Sequence, residues 1–472
     1  MPVTRTFAKA FAGGEISPEM FGRLDDQKYQ AGAAKLRNFI AKPQGPAENR
    51  AGFAFVREVK DSTKKTRLLS FTFNTTQTMV IEFGNQYFRF HTQGQTLIYA
   101  PGAAWDAATA YTIGDIALAG AELFDVHYVQ SGDVMTIVHP NHAPKELRRL
   151  SATKWELKTI NFASPLAAPT GVSASRYIPS SSSTNSDTYE SHKYVVTAVA
   201  ANLVDESSQS SVASVNNNIY VTGAKNTITW NAVTDAARYR VYKEQAGIFG
   251  FLGETTDLTI VDANIAPDFS RVPPIFENEF QSTNNFPGAV SYFEQRRVFA
   301  GTNDEPQSIF MTKSGTESNL SFGLPIRDDD RIKFKVAARE ANTIRHIVPL
   351  TQLLLLTGSA EWRVASVNSD AITPTSISVK PQSYVGSNNA QPVIVNNSMV
   401  YCASRGGHVR ELGYNWQANG FITGDLSLRA PHLFDNLTIT DMALAKAPVP
   451  IVWFISSNGK LLGLTYVPEQ TV

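Results

Sequence analysis

Apolar and polar residues alternate along most of the chain, interrupted by short stretches rich in glycine, proline, asparagine or aspartate. Several stretches share one pattern, an apolar run, a polar or glycine turn and a second alternating run, and each predicts a β-hairpin. They are TMVIEFGNQYFRFHT, VMTIVHPNHAPKELRRL, RRVFAGTNDEPQSIFMTKSG, LLLLTGSAEWRVAS, SMVYCASRGGHVRELGYN and PIVWFISSNGKLLGLTYVPE. The later starts, near Arg297, Leu353, Met399 and Ile451, are about 50 residues apart, as in radial β-arrays. The pattern predicts a mainly β, propeller-like body.

One inserted domain explains the long gap between the second and third hairpins. Residues 164–275 have a Ser/Thr/Asn-rich interior between the proline-rich joints SPLAAPTG and APDFSRVPPIF. Short alternating strands inside it predict a β-sandwich. The stretch TITWNAVTDAARYRVYK resembles strands B and C of fibronectin type III domains, whereas YVVTAVA resembles the later F strand and comes first here. We therefore expect a permuted or immunoglobulin-like sandwich.

A smaller insertion is predicted at 101–124. Its AWDAATAYTIGD stretch resembles the opening of small carbohydrate-binding modules but is too short for a complete one, so a surface hairpin is the favoured interpretation over a sugar site. The predicted organisation is an N-terminal arm with short helices at 1–52, the first part of the body at 53–163, the inserted fibronectin type III-like sandwich at 164–275 and the second part of the body at 276–472.

The N-terminal arm combines helical signals with helix breakers. Ser17 is a cap, Pro18 suits the first helical position, and Asp25 or Asp26 is the predicted cap of a second helix. That helix places Tyr29, Ala33, Leu36 and Ile40 in one apolar stripe. The next segment, KPQGPAENRAG, joins neither a helix nor a central strand because proline lacks a backbone donor.

An isolated helix this short is marginal, so the stripe needs a partner surface. We interpret the segment as an assembly arm, with a basic face formed by Lys28, Lys35 and Arg37. The candidate assembly-interface residues are Lys28, Tyr29, Lys35, Leu36, Arg37, Asn38, Phe39, Gln44, Asn49 and Arg50.

Composition narrows the class of protein. The chain has 472 residues, 43% of them hydrophobic, so it is a folded protein with several domains or one domain with insertions. Lys plus Arg and Asp plus Glu balance at 42 each, which argues against tight phosphate binding. The single cysteine, Cys402, permits no internal disulfide and is interpreted as a small core residue of a strand. Neither a membrane helix nor a secretory signal is expected.

Enzyme signatures are scarce. The sequence has no G-x-S-x-G elbow, P-loop, H-E-x-x-H or paired C-x-x-C motif. His139 and His142 lie in a proline-broken turn, and a plain turn is favoured over a metal site. The aspartate triplet at 328–330 is interpreted as a solvated turn balanced by Arg327 and Arg331 rather than a cation site. No metal or cofactor is expected.

Carboxylates and tryptophans complete the candidate chemistry. Propeller glycosidases use carboxylate pairs, for which the candidates are Glu277, Glu279, Glu340 and Glu361. No local pattern marks one of them as the acid. Three tryptophans in the hairpins suit core packing better than sugar stacking: Trp362, Trp416 and Trp453.

Two long blocks resemble one family. The opening FAGGEISPEMFGRLDDQKYQAGAAKLRNFIAKPQGPAENRAGFAFV is similar to the start of tail nozzle proteins, also called tail tubular protein B, of short-tailed bacteriophages and their prophage relatives. The block FPGAVSYFEQRRVFAGTNDEPQSIFMTKSGTESNLSF, continuing through DDDRIKFKVAAREANTIRHIVPLTQLLLLTGSAEWRV, resembles the same group. With the later hairpins, the blocks cover most of the chain outside the two insertions.

The resemblance implies a structural virion protein without catalysis or cofactor. It implies a hexameric ring at the distal end of the phage tail, attached to an adaptor protein and forming a conduit for DNA ejection. Zero net charge agrees with a conduit, because persistent phosphate contacts slow the passage of DNA. Tail fibres or spikes and the host envelope are further expected contacts. Relatives usually continue beyond the last hairpin, so we expect either that the final blade lacks a closing strand or that the chain is a fragment.

Two other functions remain open from the sequence. In the first, the sandwich and exposed aromatic residues recognise host envelope or glycan. In the second, the propeller-like body is a glycoside hydrolase. The nozzle predicts rings with a passage, the recognition module predicts saturable binding to envelope material, and the hydrolase predicts turnover that is lost on replacing one glutamate.

Overall fold

The structure is a computed structural model that describes residues 10–26, 28–74, 78–99, 103–104, 122–151, 154–180, 186–277, 279–338, 342–367 and 369–467. In these ranges, regular structure is β apart from the short 3-10 helices Pro18–Met20, Tyr29–Ala31, Glu122–Phe124, Ser186–Thr188 and Pro431–Leu433. The mainly β prediction is confirmed. Within the same ranges, no helix has the length and apolar character needed to cross a membrane.

The N-terminal arm, here residues 10–52, forms two small sheets. Its strands are β1 (Gly14–Glu15), β2 (Gly32–Ala33), β3 (Phe39–Ala41) and β4 (Ala47–Asn49). β1 pairs with β2 in parallel, and β3 pairs with β4 antiparallel. The turn between β3 and β4 needs Gly45, which has a φ of 115° and lies against Ala10. The proline- and glycine-rich segment is therefore a hairpin of its own.

The predicted second helix of the arm does not form. Ser17 does cap the first 3-10 helix, and its Oγ accepts a hydrogen bond from the Glu19 N–H at 3.4 Å. Beyond it, the chain makes only the 3-10 turn Tyr29–Ala31 and then enters β2. A Cβ on Gly32 would stand 1.8 Å from Cδ1 of Ile16, so β2 runs tightly past that buried residue. Packing against Ile16 and pairing with β1 override the local helical pattern.

The body is a series of antiparallel sheets that we call blades. The sequence predicts that the body begins at residue 53, but residues 53–66 form a linker without a strand and blade 1 begins at Arg67. The strands of blade 1 are β5 (Arg67–Thr72), β6 (Thr78–Gly84), β7 (Tyr87–Thr92) and β8 (Gln95–Thr96). A small antiparallel pair follows, β9 (Ile98–Tyr99) and β10 (Ala103–Ala104). The strands of blade 2 are β11 (His127–Ser131), β12 (Val134–His139), β13 (His142–Ser151) and β14 (Lys154–Thr159).

The predicted small insertion falls almost wholly outside the described residues. Of 101–124, the structure describes 103–104 and 122–124. Apart from Ala104, the AWDAATAYTIGD stretch lies outside them, so its interpretation as a surface hairpin stays a prediction.

Two antiparallel sheets follow blade 2 and share one core. Trp230 from one side and Tyr239 from the other meet between them, with ring centroids 5.5 Å apart. The sheet orders are β15–β18–β21 and β17–β16–β19–β20. The strands are β15 (Ser173–Tyr177), β16 (Glu190–Ala200), β17 (Ala213–Asn217), β18 (Lys225–Thr229), β19 (Ala236–Gln245), β20 (Ile248–Thr255) and β21 (Thr259–Asp262).

The second part of the body adds blades 3 to 6. Blade 3 consists of β22 (Ala289–Phe293), β23 (Arg296–Ala300), β24 (Ser308–Met311) and β25 (Ile332–Lys335), and blade 4 of β26 (Ile344–Pro349), β27 (Leu353–Thr357), β28 (Glu361–Ser366) and β29 (Ile377–Ser383). Blade 5 consists of β30 (Val393–Val395), β31 (Ser398–Cys402), β32 (Val409–Asn415) and β33 (Gly420–Asp425). Blade 6 consists of β34 (Ile439–Ala445), β35 (Ile451–Ser456) and β36 (Leu461–Thr465).

Each hairpin predicted from the alternating pattern is confirmed as the second and third strands of a blade. In blades 1 to 5 these strands lie in the middle of the sheet, whereas in blade 6 the third strand, β36, is at the edge of the described sheet. Blades 1 to 5 have four strands, whereas blade 6 has three in the described residues. The outer edge of the last blade therefore differs from those of the other blades.

Apolar clusters hold successive blades together. One cluster lies at each junction from blades 1 and 2 to blades 5 and 6, and each takes buried residues from both blades. Between blades 1 and 2, for example, the rings of Phe90 and Trp155 stack with centroids 4.2 Å apart. Packing of this kind supplies most of the stabilisation of such sheets.

The junction between blade 6 and blade 1 is different. Arg67 of blade 1 donates from Nε to Oδ2 of Asp441 in blade 6 at 2.8 Å. The flanking apolar side chains stay exposed, at 64% for Leu68 and 40% for Ile455. Among the described residues, no buried apolar cluster joins these two blades. The ends of the body therefore meet through an ion pair.

Candidate assembly site beside the last blade

The arm is anchored on the segment that connects blades 5 and 6. Asp26 accepts a hydrogen bond from Nε of Arg429 at 2.9 Å, and this interaction lowers the pKa of the Asp26 carboxyl. Nε2 of His432 lies 3.1 Å from Oε1 of Glu15. Farther along, the Oγ1 hydroxyl of Thr465 donates to the carbonyl oxygen of Ala41 at 2.8 Å. The arm thus runs beside blade 6, about 400 residues away in sequence.

A groove of about 950 Å³ separates the arm from blade 6. All residues of 461–467, which include the whole of β36, line one wall, and β3 lines the other. Leu461 is exposed in this groove, Trp453 is half-buried, and Phe39 and Phe53 project from the arm side. The groove therefore follows the edge of a strand and has apolar walls.

The outer edge of β36 carries backbone groups that lack partners among the described residues. Lys460 accepts from the Ser456 N–H at 3.0 Å, and the Tyr466 N–H donates to Pro450 at 3.1 Å, so even-numbered residues bond to β35. In an antiparallel pair, the alternate residues face away from the neighbouring strand. The N–H and C=O groups of Leu461, Gly463 and Thr465 therefore point into the groove.

The predicted interface residues divide between the groove and the rest of the arm. Those that line the groove are Lys28, Leu36, Arg37, Asn38, Phe39 and Arg50. Those that do not are Tyr29, Lys35, Gln44 and Asn49. The predicted stripe is not one buried face, because its members Tyr29, Leu36 and Ile40 are all half-buried.

Sequence reasoning missed the opposite wall of the groove, which comprises Trp453 and 461–467. The available signal was LLGLTYV, in which both faces of the strand are apolar. Such a strand packs on one side and leaves apolar groups on the other for a second partner.

Positive charge predominates along the groove. Arg37 pairs with Glu15 at 3.1 Å. Arg50 donates to the carbonyl of Ala51 and stacks on Phe53, and Lys460 is exposed. Neither Arg50 nor Lys460 has a carboxylate partner in the described part of the chain. Burial, followed by the charge of Arg429, lowers the pKa of Lys28, which also lies in this basic surface.

Large apolar side chains on the arm and the linker face solvent. Leu24 is 72% exposed, Phe53 is 80% exposed and Phe55 is 81% exposed. Isolated exposed apolar residues are ordinary, but a run of aromatic and aliphatic groups beside a groove is typical of an interaction surface.

The histidine pair forms a hairpin turn. The rings of His139 and His142 lie 4.9 Å apart, and Nε2 of His142 is 3.4 Å from Oε2 of Glu122. Burial lowers the pKa of His139 to about 4. Within the described residues, no three His, Cys, Asp or Glu side chains are grouped so as to hold a metal ion.

The aspartate triplet forms a turn, but its predicted charge balance is partly wrong. Asp330 is buried and accepts backbone N–H groups from Gly323 and Arg327 at 3.0 and 2.9 Å. Arg331 instead pairs with Glu277, with Nη2 2.6 Å from Oε2, because two carboxylates, Glu277 and Glu279, lie beside its guanidinium group. Arg327 does balance the triplet, with Nε 3.3 Å from Oδ1 of Asp329, and Nζ of Lys313 lies 3.2 Å from Oδ2 of the same carboxylate.

The candidate carboxylates are not assembled as one site. Glu277 and Glu279 both contact Arg331. The hydrogen bond from Arg331 lowers the pKa of Glu277, whereas a general acid needs a raised pKa. Glu361 is buried in blade 4, where it accepts a hydrogen bond from the hydroxyl of Ser383. Glu340 lies outside the described residues.

The tryptophans and the cysteine have different environments. Trp362 is buried in the core between blades 3 and 4, as predicted. Trp416 contradicts the core interpretation, because it lies in the turn between β32 and β33 with 79% of its surface exposed. Trp453 is half-buried in the groove. Cys402 is fully buried, and this burial raises the pKa of its thiol.

Comparison with known proteins gives little functional information. No family model matches the chain, and no curated protein matches it. One solved structure similar to it is "Crystal Structure of the N-terminal Domain of Nup159", at 10% sequence identity over 85% of this chain and 88% of that chain, with a TM-score of 0.27. A match at this level carries no information on function.

Proposed function

We propose that the chain is a structural subunit of a phage tail nozzle, a ring at the distal end of the tail through which DNA leaves the particle. The observation that carries this proposal is the exposed apolar surface of the arm and linker. Leu24, Phe53 and Phe55 face solvent, and Phe53 also lines the groove, an arrangement that favours burial against another subunit or an adaptor protein.

The location of the two family-like blocks supports the proposal. The first block spans the arm and the start of the linker, and the second spans blades 3 and 4. The resemblance is therefore carried by the segment with the exposed apolar residues and by the middle of the body. A hexamer with a tail adaptor as its partner is the assembly that the resemblance implies.

The insert fits a permuted fibronectin-like domain in this proposal. Its TITWNAV strand lies in the three-stranded sheet and its ARYRVYK strand in the four-stranded one, as neighbouring strands B and C do when they cross between sheets. The F-like strand β16 pairs with the C-like strand β19. In the proposed nozzle, the insert is the part that meets fibres, spikes or the host envelope.

Aromatic substitutions in the linker test the proposal. The double variant Phe53→Ser and Phe55→Ser should form fewer rings in mass photometry of the full chain, because it removes apolar area that assembly buries. Trp416→Ser is a matched control, since it removes an aromatic residue that is equally exposed but lies on the body. Unchanged rings in the double variant, or an equal loss in the control, would contradict the role of this surface.

Host recognition by the sandwich is a second candidate function. At one end of the insert, Tyr177 and Tyr220 are 52% and 67% exposed, and Nζ of Lys225 lies 5.2 Å from the ring centroid of Tyr177. Exposed tyrosines beside cations are suited to binding polar surfaces. Saturable binding of the full chain to purified host envelope, weakened by Tyr220→Ser, supports this role; binding that does not saturate contradicts it.

A further inference from the structure

We infer that the groove accepts an extended segment of a partner protein, with alternating apolar and acidic residues, as the fourth strand of blade 6. The first reason is the outer edge of β36, where the backbone groups of Leu461, Gly463 and Thr465 point into the groove and have no backbone partner among the described residues. Strand addition to such an edge is a common mode of peptide recognition. This inference goes beyond the proposed function, because it holds whether or not the chain forms rings.

The shape of the groove fits one strand. It runs along the whole of β36, and the arm approaches β36 at Ala41, where Thr465 donates to its carbonyl. No backbone hydrogen bond among the described residues joins β3 to β36. The groove therefore has the length and open edge that a short strand needs, and it lies where blades 1 to 5 have a fourth strand.

The side chains that line the groove indicate the chemistry of its occupant. Leu461 and Phe39 are partly exposed there and offer apolar contact to alternate residues of an added strand. Arg50 and Lys460 have no carboxylate partner in the described part of the chain. An acidic segment would complement these cations, whereas a basic segment would be repelled.

The charge of the linker argues against a second copy as the occupant. The exposed extended stretch of this chain, AGFAFVREVK at 51–60, contains Arg57 and Lys60 against the single acidic residue Glu58. Its net positive charge does not match a basic groove. The proposed occupant is therefore an acidic strand from a different protein.

A labelled peptide tests this inference with the full chain. The probe is a fluorescein-labelled peptide about eight residues long that alternates valine and glutamate. We expect saturable binding by fluorescence anisotropy, at least about ten-fold tighter than for a valine and lysine peptide of equal length. Binding should also slow amide hydrogen exchange at Leu461, Gly463 and Thr465, since their N–H groups then gain partners.

Two kinds of variant separate the charge contribution from the backbone contribution. Arg50→Glu combined with Lys460→Glu should weaken binding by about ten-fold or more, because it reverses the charge of the groove. Leu461→Pro should also weaken binding, because it removes one edge donor. Lys380→Glu is the control: Lys380 is exposed on the outer strand of the four-stranded blade 4, and binding should stay within about two-fold.

Three results would overturn the inference. The first is no saturable binding at about 1 mM peptide. The second is equal binding of the acidic and basic peptides. The third is a loss of oligomer mass in the single variant Lys460→Glu without any peptide, which would show that a second copy occupies the groove, because this variant leaves the arm and the linker unchanged. Rings that form normally while the peptide also binds would leave both this inference and the nozzle proposal standing.

Discussion

Arg297 shows how one residue joins two blades. Its side chain is fully buried, with Nη1 2.7 Å from Oε1 of Glu146 in blade 2 and Nη2 2.6 Å from Oε2 of Glu317. The same contact with Arg297 helps to lower the pKa of Glu146 against the opposing effect of burial. A buried charge is tolerated only when it is paired in this way.

Removing Arg297 should therefore be costly. Arg297→Met leaves the buried Glu146 without its main partner and should lower the free energy of unfolding by about 3 kcal/mol or more. Urea denaturation of the full chain measures this change. Arg148→Met is the control, because Arg148 also contacts Glu146 but is partly exposed, and it should cost about 1 kcal/mol or less. Equal effects would contradict the burial argument.

His139 should make stability depend on pH. Burial lowers its pKa to about 4 in the folded state, against an ordinary value near 6.5 in the unfolded chain. The unfolded chain then binds the proton first, so stability is full above about pH 6.5 and is lost as the pH falls towards 4. The loss from this group is up to about 3 kcal/mol.

The comparison of His139→Asn with the parent protein isolates this contribution. The variant cannot take up the proton, and its amide oxygen can still accept from the Asn141 N–H that now bonds to Nδ1 of His139. The slope of unfolding free energy between about pH 6.5 and 4.5 should therefore become shallower in the variant. Identical slopes would show that His139 does not titrate in this range.

Two glycines of blade 3, Gly301 and Gly315, have a left-handed backbone conformation. Gly301 ends the second strand of blade 3 with a φ of 71°, and a Cβ there would stand 2.2 Å from the carbonyl oxygen of Ile344. Gly315, in the same blade, has a φ of 72° with no atom within 4 Å of that position. The two sites share a backbone conformation but differ in their surroundings.

Alanine at the two sites separates strain from crowding. Gly315→Ala should lower the free energy of unfolding by about 1 to 2 kcal/mol, the cost of the left-handed conformation. Gly301→Ala should cost more, about 3 kcal/mol or above, because the neighbouring strand must also shift. Thermal unfolding of both variants measures the difference. A Gly301 variant as stable as the Gly315 variant would refute the close approach.

Some elements of the fold could be predicted from the sequence, and others could not. The hairpins follow from local alternation, so all of the central strands were predictable. The arm was not, because Gly32 and Ile16 pack together through a parallel pairing that no local helical period reports. The arm side of the groove could be predicted, because its residues stand out by composition. The blade 6 side could not, because the approach of Ala41 to Thr465 depends on how the whole body folds.

At the scale of the whole molecule, the insert has its own core. Its buried residues pack with each other across the two sheets, and contact with the body includes the hydrogen bond from Asn319 to Asp205 at 2.8 Å. A domain of this size with a separate core folds independently. Residues 164–275, expressed alone, should show one cooperative unfolding transition by circular dichroism. A gradual, non-cooperative melt would contradict this independence.

Electron microscopy of the purified full chain tests the nozzle proposal most directly. The nozzle proposal predicts closed rings of identical copies around a passage wide enough for a DNA duplex, with the exposed apolar side chains of the arm and the linker buried between copies. The same rings should appear at the distal end of the tail in particles produced by the host. A protein that stays monomeric at high concentration and is absent from those particles would contradict the proposal.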